Sequence, residues 1–441
     1  VEVVVSKRGV GAGLMLGVYN AVYRTAYTGV YPAVRAGLVG SNWRWSERTG
    51  HYAALDHAAG ARVWVHAASV GETKAAAILV DGLKARRPGL RVVVSAMTPA
   101  GRDTAVKVMP SAEAVVQAPV DLRGPVRRAL NWFDPSLLVI VETEIWPNMA
   151  LECRRRGTKL AVASAKLSSK SYGRYRYIRP LMQYILSNIT CVAAQSETDR
   201  ARLCDLGLDE SRVKVTGDVK LDAPAAAAEP PEWLETLVRE DDFVFVAGST
   251  RPGEEEIVGK AIVSLPPEAG ERLFAVVAPR HMDRCSEVAN RLGKLGLSVL
   301  RRSAIGSELW HGTRGRRVLL LDSIGELGGV YARSDLAFVG GTLAPFGGHN
   351  LVEPASAGVP VVFGPSLESV RHVADALIAR DGGRVVGDAP SLADEIAQLS
   401  SDSEKKAARG SAAALAIESL RGALGRTLDY LEETGALPDS D

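Results

Sequence analysis

The sequence predicts an α/β protein of two doubly wound domains facing a cleft, preceded by an N-terminal membrane-associated helix. Three observations carry that expectation. Apolar runs of strand length alternate with helical stretches in two separate series, the pattern of parallel sheets covered on both faces. A Pro/Ala-rich stretch, DAPAAAAEPP at 222–231, divides the two series as an interdomain linker does. The segment GGHNLVEPA at 347–355 leads from an apolar run at 336–341 into a helical stretch, and doubly wound sheets bind ligands at such strand ends. The expected divisions are 1–42 for the N-terminal segment, 43–221 for the first domain and 222–232 for the linker. The second domain then covers 233–441, its last helix free to pack back on the first.

The N-terminal segment is rich in Gly, Ala, Val, Leu and Tyr, but Arg24 and Arg35 interrupt it. Its unbroken apolar stretch is shorter than the roughly 20 residues a spanning helix needs. Tyr19, Tyr23, Tyr27 and Tyr31 recur every fourth residue and so form one helical stripe. Aromatic residues beside arginine suit a membrane–water interface; the alternative is a helix packed on the protein's own core. Residues 1–50 hold six basic and two acidic side chains, a local positive charge suited to an anionic surface.

In the first series, strands are expected at 62–66, 91–95, 137–141, 160–163, 191–194 and 213–217, with helices at 72–86, 101–107 and 146–156. In the second, strands are expected at 243–248, 273–278, 298–300, 318–321, 336–339 and 359–363. Residues 404–433 form the last helical stretch. The composition of the 441 residues, 46% apolar and 24% charged, is globular, and a net charge of +2 is too small to suggest a nucleic-acid binder as a whole. Cys153, Cys191, Cys204 and Cys285 form no C-x-x-C pair and have no histidine at ligand spacing. No zinc site or disulfide framework is expected, and a reducing compartment fits. No typical secretory signal is visible.

Chemistry concentrates at the strand ends. Glu47, in WSERTG, is one of two acids in a basic region; the placement invites a general-base role, although a plain helix-end glutamate is the commoner fate. HAASVGET at 66–73 places Ser69, Gly71 and Glu72 where a helix opens after a strand, a binding position or merely a favourable first-turn acid. ETEIWPN at 142–148 ends a buried strand with Glu142 and Glu144 two residues apart. Residues i and i+2 of a strand share a face, so the pair is costly unless it binds something or is salt-bridged. Lys166 lies within a basic stretch: residues 153–196 contain nine Lys or Arg and no acid, able to hold a phosphorylated or carboxylated molecule or a lipid headgroup.

In the second half, Ser249 and Thr250 again follow a strand and open a helix as caps. Arg280 and His281 end the next strand, where the pair suits a phosphate or carboxylate. Gly325 and Glu326 follow another strand end, with backbone groups placed to read a base. Gly347 and Gly348 let the backbone approach a ligand. His349, Asn350 and the N–H groups of the following helix start then face an anion, and Glu353 stands where a carboxylate takes both ribose hydroxyls.

HAASVGET, ETEIWPN, the PRH strand end at 279–281, DSIGEL at 322–327, FVGGTL at 338–343 and FGGHNLVEPA at 346–355 occur in this order. Together they resemble the 3-deoxy-D-manno-octulosonic acid (Kdo) transferases of Gram-negative bacteria. The resemblance spans about residues 43–420; ETEIWPN and GGHN-x-x-E are its most specific parts. It implies two Rossmann-like domains of the GT-B type and inverting transfer without a metal or other cofactor. The implied donor is CMP-Kdo, the acceptor a lipid A precursor (lipid IVA), and the place the cytoplasmic face of the inner membrane, with no nucleic acid as partner. Carried over, Glu47 is the expected base, with Glu142 and Glu144 on the acceptor or donor-sugar side. Ser69, Gly71, Glu72 and Lys166 would line the acceptor and Kdo site. Ser249, Thr250, Arg280, His281, Gly325, Glu326, Gly347, Gly348, His349, Asn350 and Glu353 would hold CMP. Two rival readings are another GT-B enzyme using a uridine nucleotide sugar and a non-catalytic peripheral membrane-binding protein.

Overall fold

The computed structural model describes residues 7–35, 43–55, 60–223, 229–306 and 316–439. Parts of the expected N-terminal segment and linker, residues 1–6, 36–42 and 224–228, lie outside the described residues. The chain divides into two compact units, Val1–Ala223 with Arg421–Asp441, and Pro224–Leu420.

The first unit is built on a parallel sheet of β1 (Arg62–Ala67), β2 (Arg91–Ala96), β3 (Ala114–Gln117), β4 (Leu137–Val141), β5 (Lys159–Ala165), β6 (Cys191–Ala194) and β7 (Val213–Val215). Its order is β3-β2-β1-β4-β5-β6-β7. The chain reverses direction across the sheet between β1 and β4, where Val63 lies beside Leu137 and His66 beside Ile140. This switch point leaves a crevice at the strands' carboxyl ends. All residues of β1 and β4 are buried, as required of strands covered by helices on both faces.

The second unit repeats the plan with β8 (Phe243–Thr250), β9 (Leu273–Pro279), β10 (Ser298–Arg301), β11 (Arg317–Leu320), β12 (Leu336–Val339), β13 (Val361–Phe363) and β14 (Gly383–Val385). Its order, β10-β11-β9-β8-β12-β13-β14, puts the switch point between β8 and β12. Two strands, β3 and β14, lie outside the runs expected from sequence. Both are sheet edges, short and only partly buried, so neither needs the continuous apolar run that marks a central strand.

The expected single helix at 404–433 is two helices, Ser403–Leu420 and Ala423–Glu433. Gly422 breaks it at φ +83°, and the Asp222 carboxylate accepts the N–H groups of Gly422 and Leu424. Arg421–Asp441 belongs to the first unit, on which the last helix packs back, and the second unit ends at Leu420. Ala423, Leu428 and Leu431 complete the first unit's core.

Helix Lys7–Arg35 belongs to the first unit, and its orientation corrects the expected stripe. Tyr19 donates its hydroxyl to Asp121 at 2.9 Å, Tyr19 and Tyr23 rings lie 4.8 Å apart, and Tyr27 packs near Trp45 at 6.4 Å. Three of the four tyrosines thus face the fold; the side chain of Tyr31 lies outside the described residues. The cause is Asp121, a buried carboxylate pushed up by burial against hydrogen bonds from Asn148, Tyr19 and Met149, which a phenol satisfies. The outward face is aliphatic instead: Leu14, Val18 and Val22 are 73%, 58% and 63% exposed. Among the described residues no helix is long and apolar enough to cross a membrane.

Candidate active site

In the first unit the motif residues gather along the carboxyl edge of the sheet, at two stations. The first lies over β3 and β2. Helix Trp45–Arg48 follows Arg44, held at φ +44°. Glu47 is 8% exposed; one oxygen accepts from Arg44 at 2.7 Å and the other from the N–H of Gln117 at 2.7 Å. Arg48, also buried, donates to the Met97 carbonyl and to Gln117 Oε1 at 3.3 Å and stacks on Trp43 at 5.0 Å. Among the described residues no carboxylate lies within ion-pair distance of Arg48, and burial pushes its guanidinium below the ordinary value. Arg48 is not singled out by the sequence, and in the structure Glu47 and Arg48 find different partners.

The second station lies at the switch point. Strand β4 ends at Val141, and Glu142 turns to φ +61°. The strand rule that put Glu142 and Glu144 on one face therefore does not apply to them. Glu142 pairs with Lys220, and Glu144 accepts from Trp146 Nε1 at 2.9 Å. His66, fully buried, shares a hydrogen bond with Ser95 Oγ at 2.8 Å, while its Nε2 points toward Glu144 at 3.8 Å without a hydrogen-bond partner. Burial, with Glu142 and Glu144 nearby, pushes Glu72 above the ordinary carboxylate value. Burial alone would lower Lys220, but Glu142, Asp218 and Glu72 raise it. Three acids thus act on one half-buried lysine, with Glu142 as its ion-pair partner. Around Lys220, the motif TGDVKLD shows only one of these acids, Asp218; Glu142 and Glu72 reach the lysine only through the fold.

Two stations three strands apart, β3 to β4, are separated by about 14 Å at ordinary strand spacing. Glu47 therefore forms no dyad with Glu142 and Glu144. The remaining first-unit residues are partly committed to structure. Ser69 caps helix Val70–Arg86 by accepting the Glu72 N–H, and Glu72 accepts the Ala68 N–H at 2.6 Å and the Ser69 hydroxyl at 2.9 Å. Gly71 is exposed on that turn. The Lys166 N–H donates to Thr143 Oγ1 at 2.8 Å, fastening the end of β5 to the ETEIWPN loop.

In the second unit a cationic cluster forms at the ends of β8, β9 and β12. A bulge shifts the β8–β9 register after Gly248, with Ser249 at φ +54°, and re-aims the chain as bulges do. Arg251 then donates through Nε to His349 at 3.1 Å and through Nη1 to His281 at 2.8 Å, and stacks on Phe346 at 4.5 Å. Arg280 joins them and is exposed. Among the described residues neither arginine pairs with a carboxylate, so the cluster carries uncompensated positive charge of the kind that suits an anion.

Several expected nucleotide-binding groups serve the fold. The N–H of Gly347 donates to Ser366 Oγ at 3.0 Å, that of Gly348 to Gly341 O at 2.8 Å and that of His349 to Gly340 O at 3.2 Å. The following helix, Val352–Ser356, is one turn long, too short for the expected helix-dipole site. Thr250 is buried and donates to Glu255 at 3.0 Å, while Glu255 is held by Arg284 at 2.7 Å. Glu326, beside Gly325 at φ +94°, accepts from Trp233 at 2.7 Å and Arg302 at 3.2 Å. Burial would raise it, but Ser323, Trp233 and Arg302 hold it below the ordinary value. Asn350 donates to Glu353 at 3.1 Å, and Glu353 is exposed. Among the described residues no group of three His, Cys, Asp or Glu is placed to hold a metal ion.

Burial first, then Arg251, Arg280 and His281, push His349 down to about 4 from 6.5. Below 6.5 the unfolded chain takes up a proton that the folded one refuses until about 4. His349 therefore contributes stability that is fully present above 6.5 and is lost as pH falls through that window. His349→Gln should flatten that part of the pH dependence of urea midpoints. Equal slopes in variant and wild type would refute the neutral, half-buried imidazole.

The family model described as 3-Deoxy-D-manno-octulosonic-acid transferase (kdotransferase) matches residues 43–223. The 3-deoxy-D-manno-octulosonic acid transferase of Bordetella pertussis is 34% identical over 434 residues, covering 92% of this chain and 99% of that one. The enzyme of the same name from Haemophilus influenzae is 32% identical over 392 residues, covering 88% and 91%. Among solved structures, Anabaena HepE in complex with UDP superimposes with a TM-score of 0.60 at 16% identity, covering 85% of this chain and 100% of that one. The UDP-GlcNAc 2-epimerase of Neisseria meningitidis gives 0.56 at 15%, covering 85% and 99%. These two likenesses concern the fold alone, two parallel-sheet α/β domains like those of GT-B glycosyltransferases. At the identity and coverage of the two transferases, the chain belongs to the 3-deoxy-D-manno-octulosonic acid transferase family and is a glycosyltransferase.

Proposed function

We propose that the chain transfers Kdo from CMP-Kdo to a lipid A precursor, lipid IVA, in lipopolysaccharide biosynthesis, with inversion and without a divalent metal. The observation that carries this reading is the carboxylate-free cluster of Arg251, Arg280, His281 and His349 at the strand ends of the second unit. An acceptor hydroxyl loses its proton to Glu47 and attacks the anomeric carbon of Kdo; the bond to the phosphate oxygen breaks, and CMP leaves with that electron pair. The negative charge on the departing phosphate falls to the arginines, which are charged at any working pH. Glu353, exposed and steadied by Asn350, takes the ribose. Of the two Glu47 oxygens, the one facing Arg44 is the base atom, because Arg44 is half exposed and free to swing away, whereas the Gln117 N–H is fixed in β3. The acids around Lys220 orient the sugars.

The test is ligand-induced thermal shift. CMP should raise the melting temperature more than UMP or UDP at equal concentration. A larger shift with the uridine nucleotides would favour the rival donor class, which the family's fold also accommodates.

The same reading places the protein at the cytoplasmic face of the inner membrane. Support comes from the outward aliphatic face of helix Lys7–Arg35 and from the exposed Lys170, Arg174, Arg176 and Arg179. Sedimentation with anionic vesicles should exceed that with neutral ones and fall as salt rises. Leu14→Asp with Val18→Asp should abolish it. Equal sedimentation with both vesicle types at every salt level would contradict this docking.

A further inference from the structure

The loop after β12 contains four consecutive N–H groups that converge on one point, the arrangement by which backbone nests hold anions. That point is filled by the chain's own carboxylate. Glu254, 1% exposed, accepts from Thr342 and Leu343 at 2.9 Å and from Ala344 at 3.2 Å through one oxygen. Through the other it accepts from Gly341 at 2.8 Å and from Arg251 at 2.8 Å. Five backbone donors meet one buried carboxylate, and among the described residues no cationic side chain pairs with it. Its counter-charge is backbone dipole alone, sufficient to keep a buried carboxylate in place.

The connections run directly to the anion site. The fifth donor is the N–H of Arg251, whose side chain grips His281 and His349. The nest begins at Gly341, held at φ +73°, and a Cβ there would come within 2.9 Å of the His349 ring. Gly340 is packed equally tightly: its Cβ would meet the Glu254 carboxylate at 2.7 Å. Glu254 therefore ties the turn after β8, which supplies Arg251, to the loop after β12, which supports His349.

We propose that Glu254 is a positioning residue for donor binding: a carboxylate that occupies an anion nest and thereby sets the distance between Arg251 and His349. It touches no substrate and acts through those two side chains. The inference rests on the nucleotide-binding reading above, so the wild-type protein is first tested for CMP, UMP and UDP binding, and the variants are compared using whichever nucleotide binds. A failure of the cytidine assignment is then seen in the wild type, and a failure of the positioning role only in the variants.

Glu254→Ala empties the nest while leaving it open to a small carboxylate. Expected is a rise of about tenfold or more in donor KM and in nucleotide Kd, the scale of one misplaced ionic contact, with acceptor KM unchanged and kcat altered less. Formate added at constant ionic strength should restore donor KM toward the wild-type value, since it supplies the missing charge to the same N–H groups. A donor KM within about twofold of wild type overturns the proposal, the cost of ordinary surface substitutions being that small. So does a raised KM that formate leaves unchanged. Should the alanine variant not fold, Glu254→Gln decides: it keeps the shape and one accepting oxygen, and unaltered nucleotide affinity in that variant overturns the proposal as well.

Discussion

Glu47→Gln should lower turnover by about 10²-fold or more, the usual contribution of a general base, and leave CMP affinity unchanged. The amide keeps the size of the side chain, and its carbonyl still accepts from the Gln117 N–H, so the turn over β3 persists. What it loses is the ability to take a proton at the oxygen that faces Arg44. CMP binding should be untouched because the groups proposed to hold it are in the second unit. Steady-state transfer rates and calorimetry with CMP on the same preparation separate the two effects. If Glu47→Gln turns over near the wild-type rate while Glu142→Gln or Glu144→Gln is inactive, the base belongs to the switch point, about 14 Å away by strand spacing, and Glu47 is structural.

Arg251→Ala should reduce donor kcat/KM by about 10²- to 10³-fold, the scale of removing one preorganised donor from a developing oxyanion. Three features of the site make the loss large. Among the described residues Arg251 has no carboxylate partner to neutralise it, it is steadied on Phe346 at 4.5 Å, and it bridges two imidazoles. Arg251→Lys should recover little, since an ammonium lacks the planar fork that reaches both rings. The same variant carries an internal control. Arg251 helps to depress His349, so in Arg251→Ala the imidazole should titrate closer to 6.5 by NMR. Donor kinetics within about threefold of wild type, together with an unmoved His349, would remove Arg251 from the site.

What could be read from sequence follows burial. Strands such as β1, β4 and β8 are covered on both faces and appear as continuous apolar runs. Edge strands β3 and β14 are half exposed and carry no such run, so they were visible only once their neighbours were in place. The strand ends were legible for a different reason: glycines, acids and histidines interrupt an apolar pattern at fixed points. Their partners were not, because Glu142 and Lys220, or Glu254 and the N–H groups of 341–344, come together only through the sheet order. Local chemistry also misled in one direction. A glycine pair before a short helix looks like a phosphate cradle, but the N–H groups of Gly347, Gly348 and His349 are spent on Ser366 and the preceding loop, and the nest nearby is filled by Glu254. The proposed anion site is therefore built from side chains, Arg251 foremost, which sequence spacing alone does not single out. The N-terminal tyrosine stripe was real as a helical face, yet it turns inward because Asp121 needs its phenol.

The most direct measurement of the central claim is transfer itself. The purified protein is incubated with CMP-Kdo and lipid IVA in the presence of EDTA, and the lipid is examined by mass spectrometry. The account predicts a lipid heavier by the mass of a Kdo residue, matched by release of CMP. No added Kdo, or addition only when a divalent metal is restored or a uridine nucleotide sugar is supplied, would contradict it.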